Sequence, residues 1–290
     1  MYKIVGYKHL GGLTHEMVVE APQLAKRAKA GQFLIIRIDE QGERIPLTIA
    51  DTDVEKGTVT VVVQAVGRST EQMVTLREND YFQDVVGPLG VASEIENYGT
   101  VVIVGGGVGI APIHPIARAL KEAGNRVISI IGAKNSDLLF WEDKMAAVST
   151  ELYIATDDGS KGHKGFVTEV LAEICDREKV DIVWAVGPMI MMRNCVAVTK
   201  ERGIRSVVSM NPVMIDGTGM CGGCRVRVGD ETKFACVDGP EFDGDLIDFD
   251  LAMKRTRYLR EMEMAGKEYY HDHQCNLGLE HHDAPMKEGE

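Results

Sequence analysis

The chain has 290 residues, 44% hydrophobic, 26% charged and 6% aromatic, with 31 glycines against 9 prolines. That excludes a collagen-like, mucin-like or wholly disordered polymer and leaves apolar material for two or three cores. A net charge of −12 makes a nucleic-acid backbone or an anionic membrane a poor partner.

The opening MYKIVGYKHL has no long apolar segment or small-residue cleavage site, and the greasiest run, Val101–Ile113, contains five glycines or prolines. Neither secretion nor membrane insertion is indicated, and the expected location is cytoplasmic. Residues 1–97 read as a β-rich block. Gln32–Ile38 and Thr58–Val66 are apolar strands with Gly and acidic punctuation, Ser69–Leu76 is a short helix, and Asn79–Val91 is a loop entering a turn. A compact antiparallel barrel fits this pattern, and a sandwich of similar size fits it as well.

Residues 98–209 change character. Strands Thr100–Val104, Arg126–Ile131, Glu151–Ala155, Asp181–Val186 and Ser206–Ser209 alternate with helices Pro112–Ala123, Leu138–Val148, Phe166–Asp176 and Met189–Arg202. Alternation of this length predicts a doubly wound parallel sheet covered on both faces. Its first strand runs into Gly105-Gly-Gly-Val-Gly-Ile-Ala-Pro112. Glycines there let a phosphate approach the backbone, and a helix start supplies free N–H groups. Gly107, Gly109 and Pro112 are therefore candidate nucleotide contacts, against a purely structural turn. Asp157 and Asp158 either accept from ribose hydroxyls or cap the next segment. Gly187-Pro-Met189 either shapes a nicotinamide pocket or is an ordinary turn. Only Lys134 follows Arg126–Ile131 closely, which favours NAD over NADP.

Residues 210–250 are too few for a large core and contain Asp216-Gly-Thr-Gly-Met-Cys221-Gly-Gly-Cys224, followed after eleven intervening residues by Cys236. A plant-type [2Fe–2S] loop places four residues between its first and second ligands and two between its second and third. Counting back from Cys221, the first position is Asp216. The expected donor set is one carboxylate and three thiolates: Asp216, Cys221, Cys224 and Cys236. A hairpin over Arg225–Ala235, turning at Gly229–Asp230, returns the chain to the loop. A structural zinc site is the competing reading. Residues 251–290 read as a helix over Leu251–Met264 and an acidic tail, whose histidines at Tyr269–His273 and His281–His282 are read as surface residues.

In the first block, Arg44-Ile-Pro-Leu47-Thr48 and Gly67-Arg-Ser69-Thr70 set cations, hydroxyls and amides beside extended apolar segments. Arg44 and Arg68 taken singly read as surface charges. Together with the sheet and the cysteine loop, these segments suggest a flavin at the block boundary.

RIPLT at Arg44–Thr48, GPLG at Gly87–Gly90, GGGVGIAP at Gly105–Pro112 and DGTGMCGGC at Asp216–Cys224 together resemble the ferredoxin–NADP reductase superfamily, in its dihydroorotate dehydrogenase electron-transfer-subunit branch. The resemblance extends to about Leu259. It implies FAD on an N-terminal barrel, held by Arg44, Leu47, Thr48, Gly67, Ser69 and Thr70. It also implies NAD(H) on the α/β block and a [2Fe–2S] cluster on the C-terminal block. Leu47 stands where the family usually has an aromatic residue and Ile45 where it has Arg, so Arg44 is expected to contact FAD from a shifted direction. Asp216, where the pyrimidine-forming branch has Cys, points to the small subunits of bifurcating transhydrogenases. The implied function is NAD(H)-handling electron transfer that couples NADH, NADP+ and ferredoxin. The implied partner is a large flavin and iron–sulfur oxidoreductase subunit, with ferredoxin reached through the assembled complex. The alternatives are the electron-transfer subunit of a dihydroorotate dehydrogenase and a zinc-stabilised nucleotide-binding regulatory subunit.

Overall fold

The structure is a computed structural model that describes residues 1–257 and 263–265. The first block holds β1 (Tyr2–Gly11), β2 (Thr14–Glu20), α1 (Pro22–Arg27), β3 (Phe33–Arg37), β4 (Arg44–Thr48), β5 (Asp51–Asp53), β6 (Thr58–Gln64), α2 (Arg68–Met73), β7 (Tyr81–Phe82) and β8 (Asp84–Leu89). The strands form a five-stranded sheet, β5-β6-β2-β1-β7, and a three-stranded sheet, β4-β3-β8, both antiparallel. The two sheets enclose one core. Val59, Val61 and Val63 alternate inward along β6 and meet Leu34 and Ile36 of β3, with Ile4, Met17 and Phe82 beside them. Val62 points the other way and is buried all the same, because the second block covers that face.

The expected loop over Asn79–Val91 is instead two strands. Opposite β3, Phe33 pairs with Leu89 and Ile35 with Val86, so Gly87 and Pro88 together face Leu34. A bulge of this kind lets a proline sit in a strand without demanding a ladder hydrogen bond from it.

The second block holds β9 (Thr100–Gly106), α3 (Ile110–Glu122), β10 (Arg126–Ala133), α4 (Glu142–Val148), β11 (Glu151–Thr156), β12 (His163–Lys164), α5 (Val167–Arg177), β13 (Ile182–Val186), α6 (Met189–Lys200) and β14 (Arg205–Ser209). The third adds β15 (Arg225–Val228), β16 (Glu231–Phe234) and β17 (Glu241–Asp243), and residues 249–257 are helical. The central sheet runs β12-β11-β10-β9-β13-β14-β17, parallel except for β17. Ile113, Ile116 and Leu120 of α3 and Met145 of α4 cover one face. Leu171 and Ile174 of α5 and Met192 of α6 cover the other. β17 thus comes from the cysteine-bearing segment yet completes the nucleotide sheet.

The helix expected over Leu138–Val148 begins only at Glu142. Ahead of it Trp141 takes a left-handed backbone (φ 59°), which turns its indole back against the first block, where Nε1 donates to Glu16 at 2.7 Å. Tertiary anchoring overrides helical periodicity here. The expected tail histidines at Tyr269–His273 and His281–His282 lie outside the described residues. Among the described residues no helix is long and apolar enough to cross a membrane.

Candidate redox site

The candidate residues fall into clusters in each of the three blocks. In the nucleotide block, β9 lies centrally, β10 to β12 build outward on one side and β13 and β14 on the other. The order therefore reverses between β9 and β13, which is where open α/β sheets bind ligands beyond their strand ends. Both candidate turns sit there. Gly107 has φ +55° and open space around the position of a Cβ, whereas a Cβ on Gly109 would lie 2.9 Å from Gly187 Cα. The Gly105–Gly109 loop and the Gly187–Met189 turn are thus in contact. Met191 of α6 covers them, its Cε 2.8 Å from where a Gly187 Cβ would be. Sequence reasoning missed Met191, since nothing in a helical Met run marks one residue as lining a crevice. Pro112 lies in the first turn of α3, which starts two residues earlier, at Ile110.

Asp157 and Asp158 follow β11 and are exposed. The Asp158 carboxylate accepts from Ser160 N at 2.9 Å and Ser160 Oγ at 2.6 Å, and these bonds hold its pKa below the usual range. Of the two roles considered, the structure gives Asp158 the turn-capping one; Asp157 is left facing solvent.

In the first block, Arg44, Leu47 and Thr48 occupy one strand, with Arg44 exposed and Leu47 and Thr48 partly buried. Gly67 caps α2. The Thr70 hydroxyl donates to Gly67 O and accepts from Gly67 N and Val66 N, so it organises that turn, while Ser69 bonds to Glu43.

In the third block the donors fall into two pairs. Cys224 and Cys236, both buried, face each other with sulfurs 3.2 Å apart and unbridged. Burial, with Cys224 beside it, pushes the Cys236 thiol pKa up. Cys221 is exposed, and its N–H donates at 2.9 Å to Asp216, whose carboxylate also accepts from Thr218 N and Met220 N. These amides, Thr218 first, hold Asp216 down at about 2, as an anion. Among the described residues no three of these donors converge on a single point. A tetrahedral zinc asks for such convergence, whereas a binuclear cluster divides its ligands between two metals. Two pairs, with three of the four donors in one glycine-rich loop and Cys236 returned to it by the β15–β16 hairpin, fit the binuclear centre, and Gly223 N–H lies 3.4 Å from Cys221 Sγ.

The loop rests on the first block. A Cβ on Gly217 would lie 2.6 Å from Ile35 Cδ1 and 2.8 Å from Leu89 Cδ1. Ile35 belongs to β3 and pairs with Pro46 of RIPLT. The cysteine loop is therefore one strand removed from the candidate flavin segment. Cys195, by contrast, is fully enclosed, and burial pushes it up to about 12, which fits packing and not chemistry.

Comparison with known proteins agrees with this layout. Residues 103–197 match the oxidoreductase NAD-binding domain family, and residues 211–248 match the iron–sulfur cluster binding domain of dihydroorotate dehydrogenase B. A Thermotoga maritima protein described as a dihydroorotate dehydrogenase B (NAD+) electron transfer subunit homolog is 50% identical over 252 residues, spanning 87% of this chain and 89% of that one. The Bacillus cereus (strain Q1) electron transfer subunit is 32% identical over 252 residues, spanning 82% and 94%. A solved structure of an NADH-dependent reduced ferredoxin-NADP oxidoreductase, described for flavin-based electron bifurcation, superposes with a TM-score of 0.89. It is 46% identical and covers 93% of this chain and 98% of its own.

Proposed function

The chain belongs to the family of dihydroorotate dehydrogenase B electron-transfer subunits, and from that premise we propose that it is the NAD(H)-handling subunit of a flavin-based electron-bifurcating transhydrogenase coupling NADH, NADP+ and ferredoxin. FAD, when bound, supplies two-electron hydride exchange with nicotinamide and one-electron exchange with a [2Fe–2S] centre.

The chain's own residues bind and orient. Arg44, Leu47 and Thr48 on β4, with Gly67, Ser69 and Thr70 at the start of α2, would hold FAD. Gly107, Gly109 and Pro112 would receive the dinucleotide phosphates, and Gly187 and Met189 would flank the nicotinamide. Asp157 would lie near the ribose, on the turn that Asp158 caps. Cys221, Cys224, Cys236 and Asp216 would hold the cluster, with Asp216 already an anion and so ready to act as a donor. Around the loop Val213, Ile215, Met220 and Val237 are exposed, Met220 by 88%, an apolar rim suited to a large oxidoreductase subunit. Ferredoxin is then served by the assembled complex.

The observation that carries this reading is Gly217 seated on Ile35 and Leu89, which sets the cluster loop one strand from RIPLT. Likeness to the oxidoreductase over nearly the whole of both chains, together with Asp216 in place of Cys, supports a bifurcating partner over a pyrimidine-forming one. Native purification with identification of partner and cofactors tests it. The expected result is FAD, iron and acid-labile sulfide, a large flavoprotein partner and NADH-linked transhydrogenation in the complex alone. Copurification with a dihydroorotate-oxidising subunit, or zinc in place of iron, would overturn it.

A further inference from the structure

The segment after Cys236 is held by backbone hydrogen bonds at successive residues, one of them to the first block. Gly239 O accepts from Val91 N at 2.6 Å, just past the GPLG turn, and Pro240 O accepts from Met210 N at 2.8 Å. The approach is close enough that a Cβ on Gly90 would lie 2.9 Å from Gly239 O. At the next residue the contact passes to a side chain. Glu241 Oε1 accepts from Ser93 Oγ at 2.7 Å, and Oε2 accepts from Trp184 Nε1 at 3.1 Å.

The two donors belong to different parts of the molecule. Ser93 lies in the connection between β8 and β9, and its N–H donates to Ala30 O of the first block at 2.8 Å. Trp184 is fully buried in the middle of β13, whose end forms the Gly187 turn. Gly31 leaves room for the junction, since a Cβ there would lie 3.0 Å from Glu241 Oε1 and would collide with Ser93 Oγ. Burial raises the Glu241 carboxyl above its ordinary range, against the lowering effect of its two donors. Glu241 is partly buried, and a carboxyl with both oxygens engaged in this way loses stability if either donor moves away.

We propose that Glu241 is a positioning residue which, through its hydrogen bonds to Ser93 and Trp184, fixes the cysteine-loop block against the first block and the nucleotide sheet and thereby sets the flavin-to-cluster distance. The proposal rests on the reading that flavin and cluster occupy those blocks. One-electron exchange falls steeply with separation, whereas hydride transfer from NADH takes place between the other two blocks. Loss of the junction therefore slows the first step and spares the second. A glutamine at this position keeps both bonds: its carbonyl accepts from the indole, and its amide donates to the Ser93 hydroxyl, which rotates to accept.

The test compares Glu241→Leu and Glu241→Gln in the full chain loaded with FAD and cluster. Two readouts are used: hydrogen exchange of the Trp184 indole N–H by NMR, and anaerobic stopped-flow mixing with NADH, resolving flavin bleaching from cluster reduction. For Glu241→Leu, indole exchange is expected to speed up and cluster reduction to slow by about tenfold or more each, with flavin bleaching within about twofold of the parent. Glu241→Gln is expected to match the parent in all three. Unchanged indole exchange in folded Glu241→Leu, or equal slowing of both redox steps, would overturn the proposal. If Glu241→Leu does not fold, Ser93→Ala removes one bond, and the same readouts decide. If the parent chain takes up neither flavin nor iron, the functional reading falls, and indole exchange alone decides whether Glu241 ties the blocks together.

Discussion

Gly107 and Gly109 stand two positions apart in one loop and are glycine for different reasons. Gly107 needs a left-handed backbone and faces open space; Gly109 has an ordinary φ of −63° but is wedged against the end of β13. Gly107→Ala should cost about 1–2 kcal/mol of stability for its backbone and abolish tight NADH binding, because its methyl would enter the space proposed for a phosphate. Gly109→Ala should cost about 1–3 kcal/mol or more by overpacking, and should weaken NADH only through the displaced turn. Thermal unfolding and NADH titration of both variants separate the two effects; equal losses in both would contradict this division. At Asp216, replacement by Cys should keep two irons and two sulfides per chain but move the cluster's redox potential and EPR signature, because a thiolate is softer and more electron-donating than a carboxylate. Unmoved spectra would assign Asp216 to organising the loop amides alone. The spacing back from Cys221 made Asp216 legible from sequence. Its present use, accepting from Thr218, Met220 and Cys221 amides, was not, since it depends on where the glycines turn the backbone.

At the scale of elements, α3 does two jobs. Its first turn leaves the glycine loop. Further along, Arg118 pairs with Asp51 at 2.7 Å, and the buried His114 Nδ1 lies 3.3 Å from Ala50 O with its ring edge-on to Trp141. Asp51 is three residues past Thr48, so one helix spans from the nucleotide turn to the candidate flavin strand. Burial lowers the His114 pKa below its ordinary 6.5; Asp51 and the Ala50 carbonyl oppose that shift, while Arg118 and Lys144 add to it. With a depressed folded pKa, the folded state disfavours the proton. The stabilisation is therefore complete above about pH 6.5 and is lost as pH falls through the window below it. Urea unfolding between about pH 7 and 5 should show that decline, and His114→Gln should flatten it; an unchanged slope would mean that the ring is not held neutral. The alternating strands and helices of this block were readable because buried parallel strands and amphipathic helices differ in period. Strands β1 and β2 were not read, because exposed positions in β1 and the polar His15 and Glu16 in β2 interrupt their apolar alternation. β17 was invisible because three residues carry no period, and only the edge of β14 makes them a strand.

For the whole molecule, the three blocks share surfaces more than linear order suggests. One core joins Phe33 and Ile35 of the first block, Val102 and Val104 of the central sheet, and Cys224 and Cys236 of the third block. No spacing rule in the sequence marks Ile35 or Leu89 as the seat of the cysteine loop. Their role follows from β3 lying between β4 and β8 and from Gly217 having no side chain. On the proposed reading, this arrangement would make the chain a conduit from nucleotide through flavin to cluster, with the apolar rim around Met220 at its far end. The most direct measurement is an anaerobic NADH titration of the full chain carrying FAD and cluster, followed by optical and EPR spectroscopy. Flavin bleaching accompanied by the signal of a reduced binuclear cluster, at two irons and two sulfides per chain, is the predicted result. Flavin that bleaches while the cluster stays oxidised, or a loop that holds zinc, would contradict it.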